Sequence, residues 1–216
     1  MCLACLLHGQ PFLYSQGLTV SSLFSETCDV SEDNSVLVIG DSDTNATSIF
    51  LNNGTYFQPR SSIPALESAV ELVDITDDGK WILVVELNGR IRLINYQKET
   101  NTKAVHDLPF SPTNKTEAGA ISDDHQCLFV GDHDGQVSII HFNSTALTFS
   151  LSQTLQGDGP IDHISLTPDR QFLAFSTLGQ KVYIFIRREG QDQYAELQTL
   201  EFANEAERKV ILTNDH

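Results

Sequence analysis

The chain has little positive charge. Lys and Arg number 13 against 29 Asp and Glu in 216 residues, which gives a formal net charge of −16. Generic binding to phosphate backbones needs clustered cations, so we expect no direct nucleic-acid partner. A strongly acidic chain suits a basic protein partner, or it serves solubility alone.

Long apolar runs and a targeting signal are also lacking. No stretch approaches the ~20 apolar residues of a membrane span. The N-terminal segment MCLACLL has no basic region before it, so a signal peptide is not indicated. We therefore expect an intracellular protein, cytoplasmic or nuclear, without a membrane association. In this setting the glycosylation sequons are interpreted as chance matches in a chain rich in Asn, Ser and Thr; they begin at Asn45, Asn53, Asn114 and Asn143.

Cysteines are few and the common catalytic motifs are missing. Cys2 and Cys5 form a Cys-x-x-Cys without a second pair at zinc-ribbon spacing, and Cys28 and Cys127 stand alone, so free thiols are predicted. The chain contains no P-loop, Rossmann fingerprint, Gly-x-Ser-x-Gly elbow or His-x-x-x-His pair. We expect no catalytic residue, no metal ligand and no cofactor.

A repeat of about 45 residues is present along most of the chain. A Ser or Thr followed by an acidic turn recurs at Ser31, Thr76, Ser122 and Thr167, with spacings of 45, 46 and 45. Thr213 lies 46 residues beyond Thr167 and would begin a fifth copy. A period of this size indicates a repeat architecture.

Each copy of the repeat has the same pattern of strands and turns. In the second copy the apolar run WILVV at 81–85 follows an acidic turn, the turn LNGR follows at 87–90, and IRLIN at 91–95 alternates again. Alternation with Gly, Asn and Asp punctuation predicts antiparallel strands. Four strands per ~45 residues is the period of a propeller blade. We predict an all-β fold with an N-terminal segment over 1–16 and repeats over 17–52, 53–97, 98–142 and 143–187, with a partial fifth over 188–216.

The stretch ISDDHQCLFVGDHDGQVSIIHF, residues 121–142, resembles a metal site when read along the sequence. Asp123 to His125 precede the predicted strand 127–131, and Asp132 to Asp134 follow it. A strand rises ~3.3 Å per residue, so the two acidic groups lie roughly 20 Å apart. Asn143 stands where a calcium loop needs Glu. Two acidic hairpin turns are therefore predicted here. His163 lies in the predicted first strand of a repeat and is predicted to be a structural histidine, and Trp81 begins a predicted buried strand and is predicted to be a core residue.

Two segments resemble WD40 repeats. They are AISDDHQCLFVGDHDGQVSII and TLQGDGPIDHISLTPDRQFLAFS, and the resemblance extends over residues 17–216. It implies a β-propeller that serves as a binding platform. The chain departs from the family where Gly157-Asp158 replaces Gly-His, and where Ile94-Asn95, Ile140-His141 and Phe185-Ile186 replace Trp-Asp. A divergent WD40-like propeller and another propeller type with a similar strand pattern both fit.

The resemblance implies a non-enzymatic protein–protein interaction scaffold within a larger complex. Four copies and a partial fifth predict an incomplete ring, completed by further blades of a longer propeller or by a partner chain. Two alternatives stay open. One is a propeller enzyme, lactonase-like or hydrolase-like, with a metal in its channel. The other is a cirhin-like subunit of the nucleolar small-subunit processome, which LPFSPTNKTEAGAIS and FNSTALTFSLSQTL faintly resemble.

An acidic loop face is the predicted partner-binding site. In a WD40-like blade, the turns between the second and third strands share one face with the loops that lead into the first strand. That face would carry few cations, Lys115 and Arg60, and would suit a basic peptide segment. The alternative is that turns simply favour Asp. The predicted acids are Asp41, Asp43, Glu86, Asp132, Asp134 and Asp158, with Glu201, Glu205 and Glu207 from the last loop.

Overall fold

Strands make up all of the regular secondary structure in the computed structural model, which describes residues 25–63, 67–109, 115–188, 190–202 and 210–212. Within these ranges there are sixteen strands and no helix. The predicted all-β class is confirmed. In the same ranges, no helix long and apolar enough to span a membrane is found. The segment 1–16 with its two cysteines, Asn114, Glu205, Glu207 and Thr213 lie outside the described residues.

The strands form four sheets, each a meander of four antiparallel neighbours. Sheet 1 contains β1 (Ser25–Val30), β2 (Val36–Asp41), β3 (Ala46–Asn52) and β4 (Phe57–Ile63). Sheet 2 contains β5 (Val70–Ile75), β6 (Trp81–Glu86), β7 (Ile91–Gln97) and β8 (Thr102–Asp107). Sheet 3 contains β9 (Thr116–Ile121), β10 (Cys127–Asp132), β11 (Gln136–Asn143) and β12 (Thr148–Gln156). Sheet 4 contains β13 (Ile161–Leu166), β14 (Phe172–Thr177), β15 (Lys181–Arg187) and β16 (Tyr194–Glu201).

The predicted repeats and the observed sheets are offset by one strand. Each sheet takes its first three strands from one predicted repeat and its fourth from the next. For example, β5 to β7 lie within the repeat 53–97, and β8 lies within the repeat 98–142. The fourth strand, which alternates least clearly in the sequence, therefore closes the preceding sheet.

The chain divides into two compact units, each built from two sheets. The first unit comprises residues 1–86 and 91–107, and the second comprises 87–90 and 108–216. In the first unit, apolar residues of sheet 1 such as Val38 and Ile49 share a buried cluster with Val84 of sheet 2. In the second unit, Phe129 of sheet 3 and Phe175 of sheet 4 share another. Trp81 is buried at the start of β6, which confirms its predicted place in the core.

One hydrogen-bonded turn recurs between the first and second strands of all four sheets. We call it the hydroxyl–carboxylate turn. Its Ser or Thr hydroxyl accepts the backbone N–H five residues later and donates to the Asp carboxylate two residues later. For Thr76 the distances are 3.1 Å from the Trp81 nitrogen and 2.9 Å to Asp78 Oδ1. The same pair of bonds is made by Ser31, Ser122 and Thr167.

The hydroxyl–carboxylate turn is closed by a residue with left-handed backbone. The residue three positions after the hydroxyl has φ between 55° and 70°, and it is Asn34, Gly79, His125 or Arg170. The four hydroxyl-bearing residues are all buried. The backbone N–H five residues after each of them therefore depends on the hydroxyl for its hydrogen bond. The four predicted Ser and Thr positions are thus the hairpin corners of the repeat.

Two glycines allow neighbouring sheets to approach closely within each unit. A Cβ on Gly40 would lie 2.6 Å from Val70 Cγ1, and a Cβ on Gly131 would lie 2.5 Å from Ile161 Cγ2. Both glycines occupy the next-to-last position of a second strand, and both contacted residues begin the first strand of the following sheet. Absence of a side chain at this position therefore sets the distance between sheets.

Replacing the hydroxyl of one turn should destabilise the protein. Thr76→Val keeps the shape of the side chain but leaves the buried Trp81 N–H without its acceptor, which costs about 1–3 kcal/mol of unfolding free energy. Thr76→Ser should recover most of this loss, and Thr102→Val, on an exposed strand, should cost little. Urea denaturation measures all three. An unchanged midpoint for Thr76→Val would show that the turn does not depend on the hydroxyl.

Adding a methyl group between sheets 3 and 4 should also destabilise the protein. Gly131→Ala forces its Cβ against Ile161, and overpacking of this kind costs about 1–3 kcal/mol. Gly159→Ala is the matched control, because outside the two adjacent residues the atom nearest to its Cβ would be the Gly179 nitrogen, at 3.5 Å. Thermal denaturation should show a lower midpoint for Gly131→Ala only. Equal midpoints would contradict the close approach.

Candidate functional site

The residues that resembled a metal site along the sequence lie at opposite ends of β10. Asp123, Asp124 and His125 belong to the turn before this strand, whereas Asp132 is its last residue and the turn that contains Asp134 follows. A six-residue strand is ~20 Å long, so one ion cannot contact both groups. Among the described residues, no group of three or more His, Cys, Asp or Glu is arranged to hold a metal.

Three of the six predicted partner-binding acids are buried at equivalent positions. Asp41, Glu86 and Asp132 end the second strands of sheets 1, 2 and 3, with exposures of 1%, 0% and 5%. Asp41 Oδ1 accepts the backbone N–H groups of Asp43 and Thr44 at 3.0 and 2.9 Å. Asp132 Oδ1 likewise accepts those of Asp134 and Gln136 at 3.0 and 2.9 Å. These two carboxylates hold the turn that follows them.

Glu86 holds a different segment. Its Oε2 accepts the backbone N–H groups of Glu67 and Ser68, at 2.8 and 3.1 Å, in the loop that leads into β5. Its Oε1 lies 3.1 Å from Nε of Arg92, which is also buried and lies 3.3 Å from Asp107. A buried carboxylate needs such partners to offset its desolvation. Glu86 is therefore a structural residue of sheet 2.

Sheet 4 places its carboxylate in a loop instead. Thr177 ends β14, and its hydroxyl donates to Oδ1 of Asp158 at 2.7 Å. Lys181 lies 3.2 Å from the other oxygen of Asp158 and 3.5 Å from Glu201. Burial alone would raise the pKa of Asp158, but the hydrogen bond from Thr177 and the Lys181 ammonium lower it. Asp158 is therefore held by its own sheet, with part of its side chain exposed.

The acidic loop face needs correction for the three buried residues. Asp41, Glu86 and Asp132 direct their oxygens to backbone N–H groups or to Arg92, so they do not present carboxylates to a partner. Asp43 and Asp134 are exposed in the turns that Asp41 and Asp132 hold. Partner binding by Asp43, Asp134 and Asp158 stays a prediction.

A second set of acids surrounds a cleft in the first unit. Its volume is about 670 Å³, and the turns β1–β2, β5–β6 and β7–β8 line it. The backbone N–H of Glu32 donates to the carbonyl of Asp77 at 3.2 Å and joins the first two turns. We call this set the acidic cleft; its carboxylates are Glu32, Asp33, Asp77, Asp78 and Glu99, and its cations are Lys80 and Lys98.

The charges of the acidic cleft are only partly neutralised. Lys98 Nζ lies 3.2 Å from Asp33 Oδ2, and Lys80 Nζ lies 2.7 Å from Asp78 Oδ2. Burial alone would raise the pKa of Asp33, but hydrogen bonds from Ser35, Ser31 and Lys98 hold it well below its usual range. Five carboxylates against two ammonium groups leave a surplus of negative charge. The sequence shows that the β1–β2 and β5–β6 turns are acidic, but it does not predict that they lie beside the β7–β8 turn.

A bulge in the first strand of every sheet provides a further acidic position. The register shifts there by one residue in β1, β5, β9 and β13. The extra residue is acidic each time: Glu26, Glu71, Glu117 and Asp162. Bulges often redirect a side chain near functional sites. None of these four bulge residues belongs to the acidic loop face that was predicted from the sequence.

A buried arginine joins sheets 3 and 4 in the second unit. Arg170 Nη1 donates to Cys127 Sγ at 2.7 Å, and Nη2 lies 2.6 Å from Asp124 Oδ2. The backbone carbonyl of Arg170 accepts the Tyr194 hydroxyl at 2.8 Å. Burial raises the pKa of the Cys127 thiol, although Arg170 opposes this. The cluster links the hydroxyl–carboxylate turns of two neighbouring sheets, and it is structural.

Comparison with known proteins supports the fold and gives no function. No family model matches the chain, and no curated protein matches it. A solved structure of a protein from Lactobacillus plantarum is similar, with a TM-score of 0.67 and 15% sequence identity. The match covers 82% of this chain and 55% of that one, so this chain spans about half the length of the solved structure.

The solved structure is β-propeller-like. The four sheets of this chain, each a meander of four antiparallel strands, have the strand arrangement of propeller blades. The chain therefore has a β-propeller fold of four-stranded antiparallel blades, as predicted. At 15% identity the similarity concerns the fold alone.

Acid should destabilise the protein through the carboxylates of its turns. The pKa of Asp169 is lowered by the Thr167 hydroxyl and the Gln171 N–H, and the pKa values of Asp33 and Asp158 are lowered too. Such a group stabilises the fold above its ordinary pKa of 3.8, and this stabilisation is lost as the pH falls through the lower value of the folded state.

Urea denaturation at a series of pH values from 7 to 2 measures this effect. The free energy of unfolding should fall below about pH 4. The fall should be shallower in Asp169→Asn, which keeps an acceptor oxygen but does not titrate. The control is Asp192→Asn, because Asp192 is exposed between β15 and β16 and takes part in none of the hydroxyl–carboxylate turns. Identical pH profiles for the wild type and Asp169→Asn would contradict the assignment.

Proposed function

We propose that this protein is a non-enzymatic, intracellular scaffold that binds other proteins within a larger complex, and that the acidic cleft receives a basic segment of a partner. The single observation that carries the proposal is the gathering of five carboxylates from three turns around one cleft. The WD40-like interpretation of the repeats belongs to the same proposal, and it rests on their spacing and on the hydroxyl–carboxylate turn.

The cleft is preorganised for a cation. Asp33 and Asp78 are each held at one oxygen by the Ser or Thr hydroxyl of their own turn and by a backbone N–H. These side chains lose little rotamer freedom when a partner binds, and this lowers the entropic cost of association. The surplus of negative charge would also steer a basic segment toward the cleft.

The cleft is large enough for a short peptide segment but too small for a whole protein surface. A volume of about 670 Å³ accommodates a few side chains. Lys80 Nζ and Lys98 Nζ already lie beside Asp78 and Asp33, so an incoming Arg or Lys would compete with these two lysines or bind at Glu32 and Glu99. The affinity of such a contact should fall as ionic strength rises.

Charge reversal in the cleft tests the proposal. The complete translation product would be purified from its source by affinity capture, and its bound proteins identified by mass spectrometry. Glu32→Lys with Glu99→Lys changes two exposed side chains of the cleft and should weaken partner binding at least about tenfold. The matched control is Asp43→Lys with Asp134→Lys, which reverses two exposed acids outside the cleft.

The outcomes separate the competing interpretations. Loss of partners in the control variant alone would favour the acidic loop face over the cleft. Unaltered binding in both variants would contradict a charge-driven docking site. Stoichiometric zinc or calcium in the purified protein would favour a propeller enzyme over a scaffold, and recovery of ribosome-assembly proteins would favour the cirhin-like alternative.

A further inference from the structure

One edge strand of sheet 3 lacks the features that usually protect a sheet edge. Charged residues and proline keep an exposed edge from pairing with another chain. Of the eight edge strands in the four described sheets, only β12, with the sequence TFSLSQTLQ, has neither. The other seven carry Glu26 and Asp29 in β1, Pro59 and Arg60 in β4, Glu71 and Asp74 in β5, Lys103 and Asp107 in β8, Glu117 in β9, Asp162 in β13, and Glu196 and Glu201 in β16.

The outer side of β12 is open over the first half of the strand. β12 has nine residues, and within the described part of the chain it pairs with β11 alone. A bulge at Ser152 divides it. In the second half, the Gln153 amide donates to the Tyr194 carbonyl and accepts the Tyr194 N–H, and the Gln156 amide donates to backbone carbonyls of the β10–β11 turn. In the first half, Thr148–Leu151, three of the four side chains are exposed.

The first half of β12 presents apolar side chains on one face of sheet 3. Leu151 pairs with Ile140 and Phe149 pairs with Phe142, so these four side chains share a face. Phe149 stacks on Phe142 with 5.3 Å between the ring centroids, which holds the strand in place. Leu151 is still 52% exposed. A strand held in this way loses little conformational freedom when another strand pairs with it.

The opposite face of the same half is polar and borders a cleft. The volume of this cleft is about 470 Å³, and Thr148 and Ser150 line it together with His141 and the β9–β10 turn. Among the described lining residues the one carboxylate is that of Asp124, which lies 2.6 Å from Nη2 of Arg170. With histidine counted as neutral, the strand and the cleft therefore carry no uncompensated charge. This part of the surface matches an uncharged segment rather than a basic one.

Leu147 directly precedes β12 in a backbone conformation that leucine disfavours. Its φ is 52°, and its side chain is 42% exposed. Asn101 occupies the corresponding position before β8 with a φ of 56°, and Asn adopts the left-handed conformation more readily than a bulky residue does. Leu147 is therefore strained without being buried. Strain of this kind is characteristic of binding sites, where an exposed apolar side chain contacts a partner.

We propose that the first half of β12 binds an extended, uncharged segment of a partner protein as an added strand. Backbone hydrogen bonds supply the affinity, apolar residues of the segment contact Leu147 and Leu151, and alternate small polar residues lie over the cleft beside Ser150. A second copy of this chain is disfavoured as the occupant, because each copy carries a net charge of −16 and two copies would repel each other. The site lies in the second unit and is independent of the acidic cleft.

Fluorescence anisotropy with the complete chain tests the added strand. The probe is the blocked heptapeptide acetyl-Ser-Val-Thr-Val-Thr-Val-Ser-amide with a fluorescent label. Its N-methylated form, which cannot donate backbone hydrogen bonds, is the control. The first peptide should bind saturably and the second should not. Equal binding of both peptides, or no binding of the first up to about 1 mM, would overturn the proposal.

A charge on the strand should block the site. Leu151→Lys should weaken peptide binding at least about tenfold, because a lysine at a sheet edge opposes pairing. The matched control is Val105→Lys, since Val105 is 46% exposed on β8 and pairs with Ile94 as Leu151 pairs with Ile140. Equal weakening by the two variants would contradict a specific site. Self-association in sedimentation that Leu151→Lys abolishes would assign the edge to a second copy and would also overturn the proposal.

Leu147→Asn separates binding from stability. The substitution relieves the strained backbone, so the thermal midpoint should stay the same or rise while peptide binding weakens several-fold. Leu178→Asn, at a 56% exposed site elsewhere in the second unit, should change neither. Undiminished binding by Leu147→Asn would overturn the role of Leu147 in the site. Glu32→Lys with Glu99→Lys should leave peptide binding unchanged, which distinguishes a failure of this proposal from a failure of the acidic cleft.

Discussion

The hydrogen bond from a buried hydroxyl to an Asp carboxylate two residues later is the interaction on which the described structure depends. It fixes the hairpin between the first and second strands in all four sheets. Once this corner is fixed, the apolar second strand is placed in register beside the first, and side chains on both of its faces are buried. Because the second strands of all four sheets are almost wholly buried, an error at the corner would misplace the centre of the core.

The acidity of the chain follows in part from this construction. Asp33, Asp78, Asp124 and Asp169 serve the hydroxyl–carboxylate turns, and Asp41 and Asp132 hold the next turn of their sheets. Hydrogen bonds donated to a carboxylate favour its ionised form, and such bonds lower the pKa values of Asp33 and Asp169. A repeat built with acidic corners therefore accumulates negative potential, and the acidic cleft forms where two such corners meet a third turn.

Much of the fold can be predicted from the sequence because its signals are local. Ser31, Thr76, Ser122 and Thr167 mark the corners, and alternation marks the strands that flank them. The candidate site is less predictable. Burial of Asp41 and Asp132 depends on a carboxylate that folds back onto the next turn, and burial of Glu86 depends on Arg92 and the loop at Glu67. The meeting of Glu32 with Asp77 and Glu99 is a tertiary contact between two sheets, which a period along the chain does not encode.

The glycines at the ends of β2 and β10 make the copies of the repeat unequal. Sheets 2 and 4 carry Val85 and Ser176 at the position that Gly40 and Gly131 occupy in sheets 1 and 3. A copy with a side chain there cannot replace one without it, because the added atoms would collide with Val70 or Ile161. Duplication and exchange of whole repeats is therefore constrained in this protein: a transplanted copy is accommodated only if the residue about thirty positions downstream changes with it.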